Sequence, residues 1–177
     1  MPLIENIVPE KASGQVAEIY GDITRVFGRV PNAMQMYSAS PALLAQQWQA
    51  TGYYFAHPHL PRPLLAAIRL LVSQENDCDY CIGFNAGMLI NTAGWTTEQV
   101  AATKHDISAA PLNAKEMALL GFVLKSVNKR EASTRAEIDA LTQLGWTHAD
   151  LLDAVAHGAR NVGVDIIFNT FQIENDF

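Results

Sequence analysis

The sequence repeats one helix-start signal four times in its second half. Each time, a threonine or asparagine that can cap a helix is followed three residues later by a side chain that can bond back to the backbone. The four pairs are Thr96 with Gln99, Asn113 with Glu116, Thr134 with Glu137, and Thr147 with Asp150. Such reciprocal bonds satisfy N–H groups that a helix start leaves without partners. No segment alternates apolar and polar residues over the length of a strand, so the chain is predicted to be all-α, with about eight helices.

The first half of the chain also shows helical periodicity. A helix is predicted over residues 13–27, where the apolar side chains fall on one side, and a glycine follows it. Ser40 precedes a proline, which is a typical cap and first helical residue, and this predicts a helix over 41–54. Three prolines in seven residues make 57–63 a loop. The strongly apolar stretch 64–73 is predicted to be a buried helix.

Composition limits the classes to which this chain can belong. Its 177 residues suit a single domain, predicted to span 1–177 with an extended arm at 1–12 and a frayed tail at 173–177. Apolar residues make up 49% and charged residues 17%, which predicts extensive burial within the fold or between subunits. A net charge of −6 argues against a nucleic-acid partner. Neither a membrane span nor a signal peptide is visible, so a cytoplasmic location is expected.

The two cysteines of the chain, Cys78 and Cys81, form a C-x-x-C pair between two helical patterns. Asn76 and Asp77 are good N-cap residues, so a helix is predicted to begin there and to carry both thiols on one face. The positive end of a helix dipole favours a thiolate over a thiol. In a cytosolic chain, one such pair indicates redox or metal chemistry rather than a structural disulfide.

The order of these parts resembles the carboxymuconolactone decarboxylase superfamily, and more closely its alkylhydroperoxidase AhpD-like branch. The most specific match is the pattern Ser73-x-x-Asn76-x-Cys78-x-Tyr80-Cys81. Weaker matches are Val30-Pro31-Asn32, Ser40-Pro41, Leu71-Val72, Gly94 with the capped helix behind it, Leu112 to Glu116, and Asn161 to Asn169. Together they cover residues from about 15 to 172.

The resemblance implies an all-helical homo-oligomer, as a dimer, trimer or hexamer, that acts as a thiol-dependent peroxidase. It implies that Cys81 attacks a small hydroperoxide and becomes a sulfenic acid, and that Cys78 resolves it as a disulfide. This order is chemically sensible because a neighbouring thiol removes the sulfenic acid before it is oxidised further. A thiol or dithiol donor would then return the pair to its reduced form. No cofactor, metal, nucleic acid or membrane is expected to take part.

Two positions depart from the family pattern, in which a glutamate and a histidine relay protons. Ala66 stands where the glutamate is expected, twelve residues before Cys78, and Asn85 stands where the histidine is expected, four residues after Cys81. Glu75 is a candidate substitute relay, because it lies three residues before Cys78. Asn85 either bonds to the Cys81 thiol or is satisfied by the backbone. The candidate catalytic residues are Cys81, Cys78, Glu75 and Asn85.

Other assignments of the dithiol stay open. The absent relay keeps a non-catalytic or redox-sensing oligomer of the same fold in consideration. Decarboxylation of a muconolactone-like substrate does not need a dithiol, and the intact pair counts against it. His57 and His59 would complete a Cys₂His₂ zinc set, but their spacing from the cysteines disfavours it. A thioredoxin fold is excluded because its C-x-x-C follows a strand, and no strand is predicted in this chain.

An apolar wall is expected beside the dithiol. Tyr80 and Phe84 are separated by four residues, so in a helix they are neighbours on one face. Such a wall would suit an organic hydroperoxide better than hydrogen peroxide.

Overall fold

The computed structural model describes residues 3–129 and 131–177, and these residues are entirely helical or irregular, without strands. They form nine α-helices and two 3₁₀ helices. The α-helices are α1 (Gly14–Phe27), α2 (Asn32–Tyr37), α3 (Pro41–Phe55), α4 (Arg62–Glu75), α5 (Asp79–Ala93), α6 (Thr97–His105), α7 (Ala114–Asn128), α8 (Arg135–Gln143) and α9 (His148–Phe171). The all-α prediction is confirmed. Within the described ranges, no helix has both the length and the apolar character needed to cross a bilayer.

The capping signals that predicted the later helices operate as expected. Thr96, Asn113 and Thr134 each form a complete capping box. At the start of α9, the Thr147 N–H donates to Asp150 Oδ2 at 2.8 Å, and the Asp150 N–H donates to Thr147 Oγ1 at 3.1 Å. These local bonds fix where each helix begins, which is why the sequence alone locates the starts well.

The described residues fall into two compact units. The first comprises residues up to 56 together with 167–177. Its core is built by apolar side chains of α1, α2, α3 and the α1–α2 connection. The buried members include Val16, Ile19, Tyr20, Ile23, Val30, Met34 and Leu44. The prediction of one domain over residues 1–177 stays a prediction.

The two ends of the chain in this unit are held by specific bonds. The predicted arm contains a 3₁₀ turn at Pro9–Lys11, and the Leu3 N–H donates to the Phe171 carbonyl at 3.1 Å. Residues 1 and 2 lie outside the described part. In the tail that the sequence predicted to fray, Asp176 lies 2.8 Å from Arg29 Nη1 and accepts a hydrogen bond from the Asn32 N–H at 2.7 Å. The fraying itself stays a prediction.

The second unit comprises residues 57–166 and is organised around α4. This helix buries most of its residues against α5 and α7. Gly158 lets α9 approach closely, because a Cβ at this position would lie 2.9 Å from Val123 Cγ1 and 3.1 Å from Val127 Cγ2. Ile68 of α4 would be 3.5 Å from the same Cβ. The helix that carries Asp165 is therefore packed directly on α4 and α7.

The α4–α5 junction differs from the prediction. Asn76 and Asp77 end α4 rather than begin α5: Asp77 has a left-handed φ of 51°, and its N–H donates to the Gln74 carbonyl at 3.4 Å. The Cys78 N–H donates to the Ser73 carbonyl at 3.1 Å. This pair of bonds is the Schellman arrangement of a helix end. Cys78, not Asn76 or Asp77, is the N-cap of α5.

Candidate active site

Both cysteines lie at the start of α5 as free thiols. Cys78 is the N-cap, and its Sγ accepts a hydrogen bond from the Cys81 backbone N–H at 3.4 Å. Both side chains are buried, and no disulfide joins them. The first turn of the helix therefore presents the two sulfur atoms to each other, as a dithiol able to form a disulfide requires.

The third member of the site is Asp165 on α9, which is fully buried. One carboxylate oxygen and the two sulfur atoms all lie within 4.8 Å of one another. Ser73 Oγ donates to Asp165 Oδ1 at 2.8 Å, and Asn161 Nδ2 lies 3.1 Å from Oδ2. The Asn76 amide donates to Oδ2 at 3.3 Å. The carboxylate is thus fixed beside the thiols by donors from α4, from the helix end and from α9 itself.

The surroundings of this group raise the pKa of both Asp165 and Cys81. Burial raises the pKa of Asp165, although hydrogen bonds from Cys81, Ser73, Cys78 and Asn76 act in the opposite direction. The pKa of Cys81 is also raised, first by its hydrogen bond to Cys78, then by burial and by the Asp165 carboxylate. The expectation that the helix start would favour a Cys81 thiolate is therefore wrong for the resting site. A carboxylate with a raised pKa is a better proton acceptor than an ordinary one.

Glu75 lies outside this group. It is exposed at the last position of α4, and the left-handed turn at Asp77 separates it from the start of α5. The helix does not extend backward through Glu75 to Cys78, and that continuity was the condition for sharing a face. The position of the usual glutamate, Ala66, is buried in α4. Among the described residues, the carboxylate that reaches the thiols comes from α9.

Asn85 lies one helical turn beyond Cys81 and is fully engaged. Its Nδ2 donates to the Cys81 carbonyl oxygen at 2.8 Å, and its Oδ1 accepts from Arg69 Nε at 2.7 Å. Of the two readings given by the sequence, these bonds match the one in which the backbone satisfies the amide. Asn85 connects Arg69 to the helix that carries the dithiol.

Arg69 is the charged residue of this second polar group. Besides Asn85, its Nη1 lies 3.0 Å from His157 Nε2 and its Nη2 donates to Met88 Sδ at 3.5 Å. Burial lowers the pKa of Arg69 to about 10, and the neighbouring Cys81 acts in the opposite direction. Burial and the charge of Arg69 hold the pKa of His157 well below its usual value. A neutral His157 can accept a hydrogen bond from the guanidinium.

The two loop histidines are paired with carboxylates of α9. His57 Nε2 lies 3.2 Å from Asp153 Oδ2, and His59 Nδ1 lies 3.0 Å from Asp150 Oδ1. Neither joins the cysteines in a group compact enough for a metal ion. Within the described ranges, the compact group around the cysteines consists of the two thiols and Asp165. It offers three ligand atoms, whereas a structural zinc site has four.

The expected aromatic pair is present beside the dithiol. The rings of Tyr80 and Phe84 stack with centroids 6.1 Å apart and planes 10° from parallel. Tyr80 is buried and Phe84 is partly exposed. The start of α5 therefore carries an apolar surface next to Cys81.

Sequence reasoning missed Asp165, Arg69 and the two residues that fix the aspartate, Ser73 and Asn161. The signal was nevertheless present. Asn161 and Asp165 are four apart in an otherwise apolar stretch of α9, and Arg69 is the one charged residue of the apolar run 64–73. Charged side chains are almost never buried without a partner, so such isolated polar positions indicate a site.

Comparisons with known proteins agree with this architecture. No family model matches the chain. Over 99 residues it is 31% identical to alkyl hydroperoxide reductase Rv2159c of Mycobacterium tuberculosis, a match that covers 56% of this chain and 28% of that protein. The chain thus spans less than a third of the length of this curated relative.

Solved structures match almost the whole chain. An uncharacterized peroxidase-related protein from Ralstonia eutropha JMP134, described as an alkylhydroperoxidase AhpD core, has a TM-score of 0.86 at 17% identity, covering 99% of this chain and 92% of that one. A peroxidase-related protein from Silicibacter sp. TM1040 has a TM-score of 0.85 at 15% identity, with the same coverage. A variant of the debrominase Bmp8 in complex with 2,3,4-tribromopyrrole has a TM-score of 0.77 at 16% identity, covering 98% of this chain and 91% of that one.

The whole-chain match to these structures and the C-x-x-C at the start of α5 lead to one conclusion. The chain has the all-helical AhpD core fold that the sequence predicted, and part of it is similar in sequence to a protein named alkyl hydroperoxide reductase.

Proposed function

We propose that this protein is a thiol-dependent peroxidase that reduces organic hydroperoxides through a dithiol–disulfide cycle of Cys78 and Cys81. In this proposal Asp165 takes the part that the sequence assigned to Glu75. The observation that supports it most directly is the buried group of two thiols and one carboxylate, with all three atoms within 4.8 Å. A proton acceptor at this distance is what a buried thiol needs before it can act as a nucleophile.

The first half of the cycle forms a sulfenic acid. The Cys81 thiol gives its proton to Asp165, and the thiolate attacks the terminal oxygen of the hydroperoxide. The O–O bond breaks, the terminal oxygen and its hydrogen remain on sulfur, and the leaving alkoxide takes the proton from Asp165. Cys81 is oxidised by two electrons and the hydroperoxide is reduced to an alcohol.

The second half closes the disulfide. The Cys78 sulfur attacks the Cys81 sulfenic acid, a sulfur–sulfur bond forms, and the hydroxyl group leaves as water with the Cys78 proton. A thiol or dithiol donor then reduces the disulfide by exchange. The bond from the Cys81 N–H to Cys78 Sγ supports this order, because it holds the resolving sulfur against the start of the helix.

The test is stoichiometric oxidation of the reduced protein by cumene hydroperoxide, followed by intact mass and thiol loss. The wild type is expected to lose two hydrogens as an intramolecular disulfide, much faster than free cysteine reacts. Cys81→Ser is expected to lose the reaction, whereas Cys78→Ser is expected to stop at a sulfenic acid that dimedone traps. Oxidation no faster than that of free cysteine would reject the peroxidase and favour a redox-sensing or non-catalytic role.

Reductive debromination is a second candidate. The stacked Tyr80 and Phe84 rings offer a surface suited to a flat aromatic molecule. A dithiol can supply the two electrons that replace bromide by hydrogen, leaving a disulfide, a proton and a bromide ion. Incubating the reduced protein with 2,3,4-tribromopyrrole and measuring released bromide tests this directly. If no bromide is released and hydroperoxide is consumed rapidly, debromination is rejected and the peroxidase function is retained.

A further inference from the structure

Arg69 is a charged residue in an apolar helix. It is the one charged residue in the run 64–73. All other residues of this run are buried. Arg69 is partly exposed as a residue, unlike its neighbours in the run. Keeping a charge at such a position costs free energy unless an opposite charge compensates it.

The contacts of Arg69 within the protein are neutral. Asn85 Oδ1, His157 Nε2 and Met88 Sδ each face one nitrogen of the guanidinium. Among the residues that the structure describes, no carboxylate forms an ion pair with it. Each Nη carries a second N–H, so the fork retains donors for a further acceptor.

The nearest candidates for an internal anion do not compensate this charge at rest. Asp165 is bonded to donors of its own, Ser73, Asn161 and Asn76. Burial and the hydrogen bond to Cys78 raise the pKa of Cys81, which disfavours its thiolate. Among the described residues, the guanidinium thus has hydrogen-bond acceptors but no carboxylate in an ion pair with it.

We propose that Arg69 binds the carboxylate of the substrate, so that the preferred oxidants are organic hydroperoxides that carry a carboxylate. Planar guanidinium groups recognise carboxylates through paired N–H donors. The bonds from Arg69 Nε to Asn85 and from Asn85 Nδ2 to the Cys81 carbonyl place this cation one side chain away from the residue that reacts. This inference rests on the proposed peroxidase function and adds the substrate class.

The experiment compares kcat/KM for cumene hydroperoxide and for its 4-carboxy derivative, which share one reacting group. The wild type is expected to prefer the carboxylate by on the order of tenfold, as a charge-assisted bond allows. Arg69→Gln is expected to remove this preference, with the KM for the carboxylate rising more than the KM for the neutral substrate. Arg160→Gln, which removes the same charge from an exposed position of α9, is the matched control and is expected to keep the preference.

Two results would overturn the inference. One is equal kcat/KM for both substrates in the wild type. The other is an unchanged preference in Arg69→Gln, including the case of an equal loss for both substrates, which would mean that Arg69 acts on the thiol alone. If Arg69→Gln does not fold, Arg69→Lys carries the test, because it retains the charge, loses the planar fork and is expected to weaken the preference.

A binding measurement separates this inference from the proposed function. If neither hydroperoxide is consumed, the peroxidase fails, and calorimetry with 4-isopropylbenzoate decides whether Arg69 binds carboxylates. Binding to the wild type that weakens in Arg69→Gln or Arg69→Lys, and not in Arg160→Gln, supports the anion site. Absence of binding, or binding that all variants share, rejects it.

Discussion

Two charged residues of the candidate site, Asp165 and Arg69, are held in opposite ways. Asp165, on α9, is fully buried and meets hydrogen-bond donors. Arg69, on α4, is partly exposed and meets neutral acceptors. The donors around the aspartate are Ser73, Asn161 and Asn76, and the acceptors around the arginine are Asn85, His157 and Met88. Neither group is the ion-pair partner of the other among the described residues.

The difference suggests two separate tasks. A carboxylate that is held by several donors and has a raised pKa can accept a proton without moving. An arginine with neutral partners and partial exposure retains its charge for an anion that arrives from outside. In the two proposals, α9 provides the residue that accepts the proton of the reaction, and α4 provides the residue that binds the charge of the substrate.

Stability measurements test whether the two charges are held differently. The largest difference in the free energy of unfolding is expected between Asp165→Leu and Arg69→Met. Leucine removes the acceptor of the buried Ser73 hydroxyl and one acceptor each of the Asn161 and Asn76 amides, so we expect a loss of roughly 3–5 kcal/mol in total. Methionine removes the charge of a partly exposed arginine and mainly deprives Asn85 of a donor, so we expect a loss of about 1 kcal/mol. Urea unfolding checks both, and equal losses would mean that the two charges are held alike.

Close packing of α9 sharpens the comparison, because this helix carries both Asp165 and His157. Gly158→Ala places a methyl group 2.9 Å from Val123 Cγ1, so we expect a loss of about 1–3 kcal/mol. Gly163→Ala on the same helix meets nothing within 4 Å and is expected to gain up to about 1 kcal/mol from helix propensity. Thermal and urea unfolding of the pair give the answer. A stable Gly158→Ala would show that α9 can shift without cost.

The pH dependence of stability is expected to have opposite signs for the two groups. The raised pKa of Asp165 adds stability that is full below the unfolded value of about 3.9 and is lost as pH rises through the folded pKa. The pKa of His157 is lowered in the folded state, so the unfolded state takes up a proton first as pH falls below about 6.5. The fold loses stability over this range, until pH reaches the folded pKa of His157. The urea midpoint of the wild type should therefore gain on that of Asp165→Asn as pH falls toward about 4, and should lose to that of His157→Gln as pH falls through about 6.5.

The smallest effect is expected at the junction that brings Asn76 and the thiols to Asp165. Asp77 has a left-handed backbone, which glycine adopts freely and valine does not. We expect Asp77→Gly to change the free energy of unfolding by less than about 0.5 kcal/mol, and Asp77→Val to lower it by about 1–2 kcal/mol. Equal unfolding midpoints for glycine and valine would show that the turn imposes no conformational demand.

The helices were predictable because their signals are local. The capping pairs and apolar periodicity lie within a few residues of the bonds they form, and the four pairs at Thr96, Asn113, Thr134 and Thr147 all cap helices. The start of α5 was misplaced because asparagine and aspartate suit two roles. They cap the beginning of a helix, and they also tolerate the left-handed conformation that ends one.

The site was only half predictable, for a related reason. The cysteines identify themselves by spacing, but their carboxylate partner comes from a helix distant in sequence, and no local rule connects Asp165 to Cys81. Glu75 was the natural candidate because it is near in the chain. What the sequence does contain is a polar pair, Asn161 and Asp165, four residues apart with only apolar residues between them. Such a pair indicates a polar site inside the fold but does not reveal what it faces.

The most direct test of the account is the single-turnover rate of Cys81 oxidation by cumene hydroperoxide in three proteins: wild type, Asp165→Asn and Glu75→Gln. Removing a positioned proton acceptor typically lowers a rate by roughly a hundredfold or more, and we expect this loss in Asp165→Asn. Glu75→Gln, which alters an exposed carboxylate, is expected to react like the wild type. A wild-type rate in Asp165→Asn, or a large loss in Glu75→Gln, would contradict the assignment of Asp165 as the proton acceptor of the dithiol.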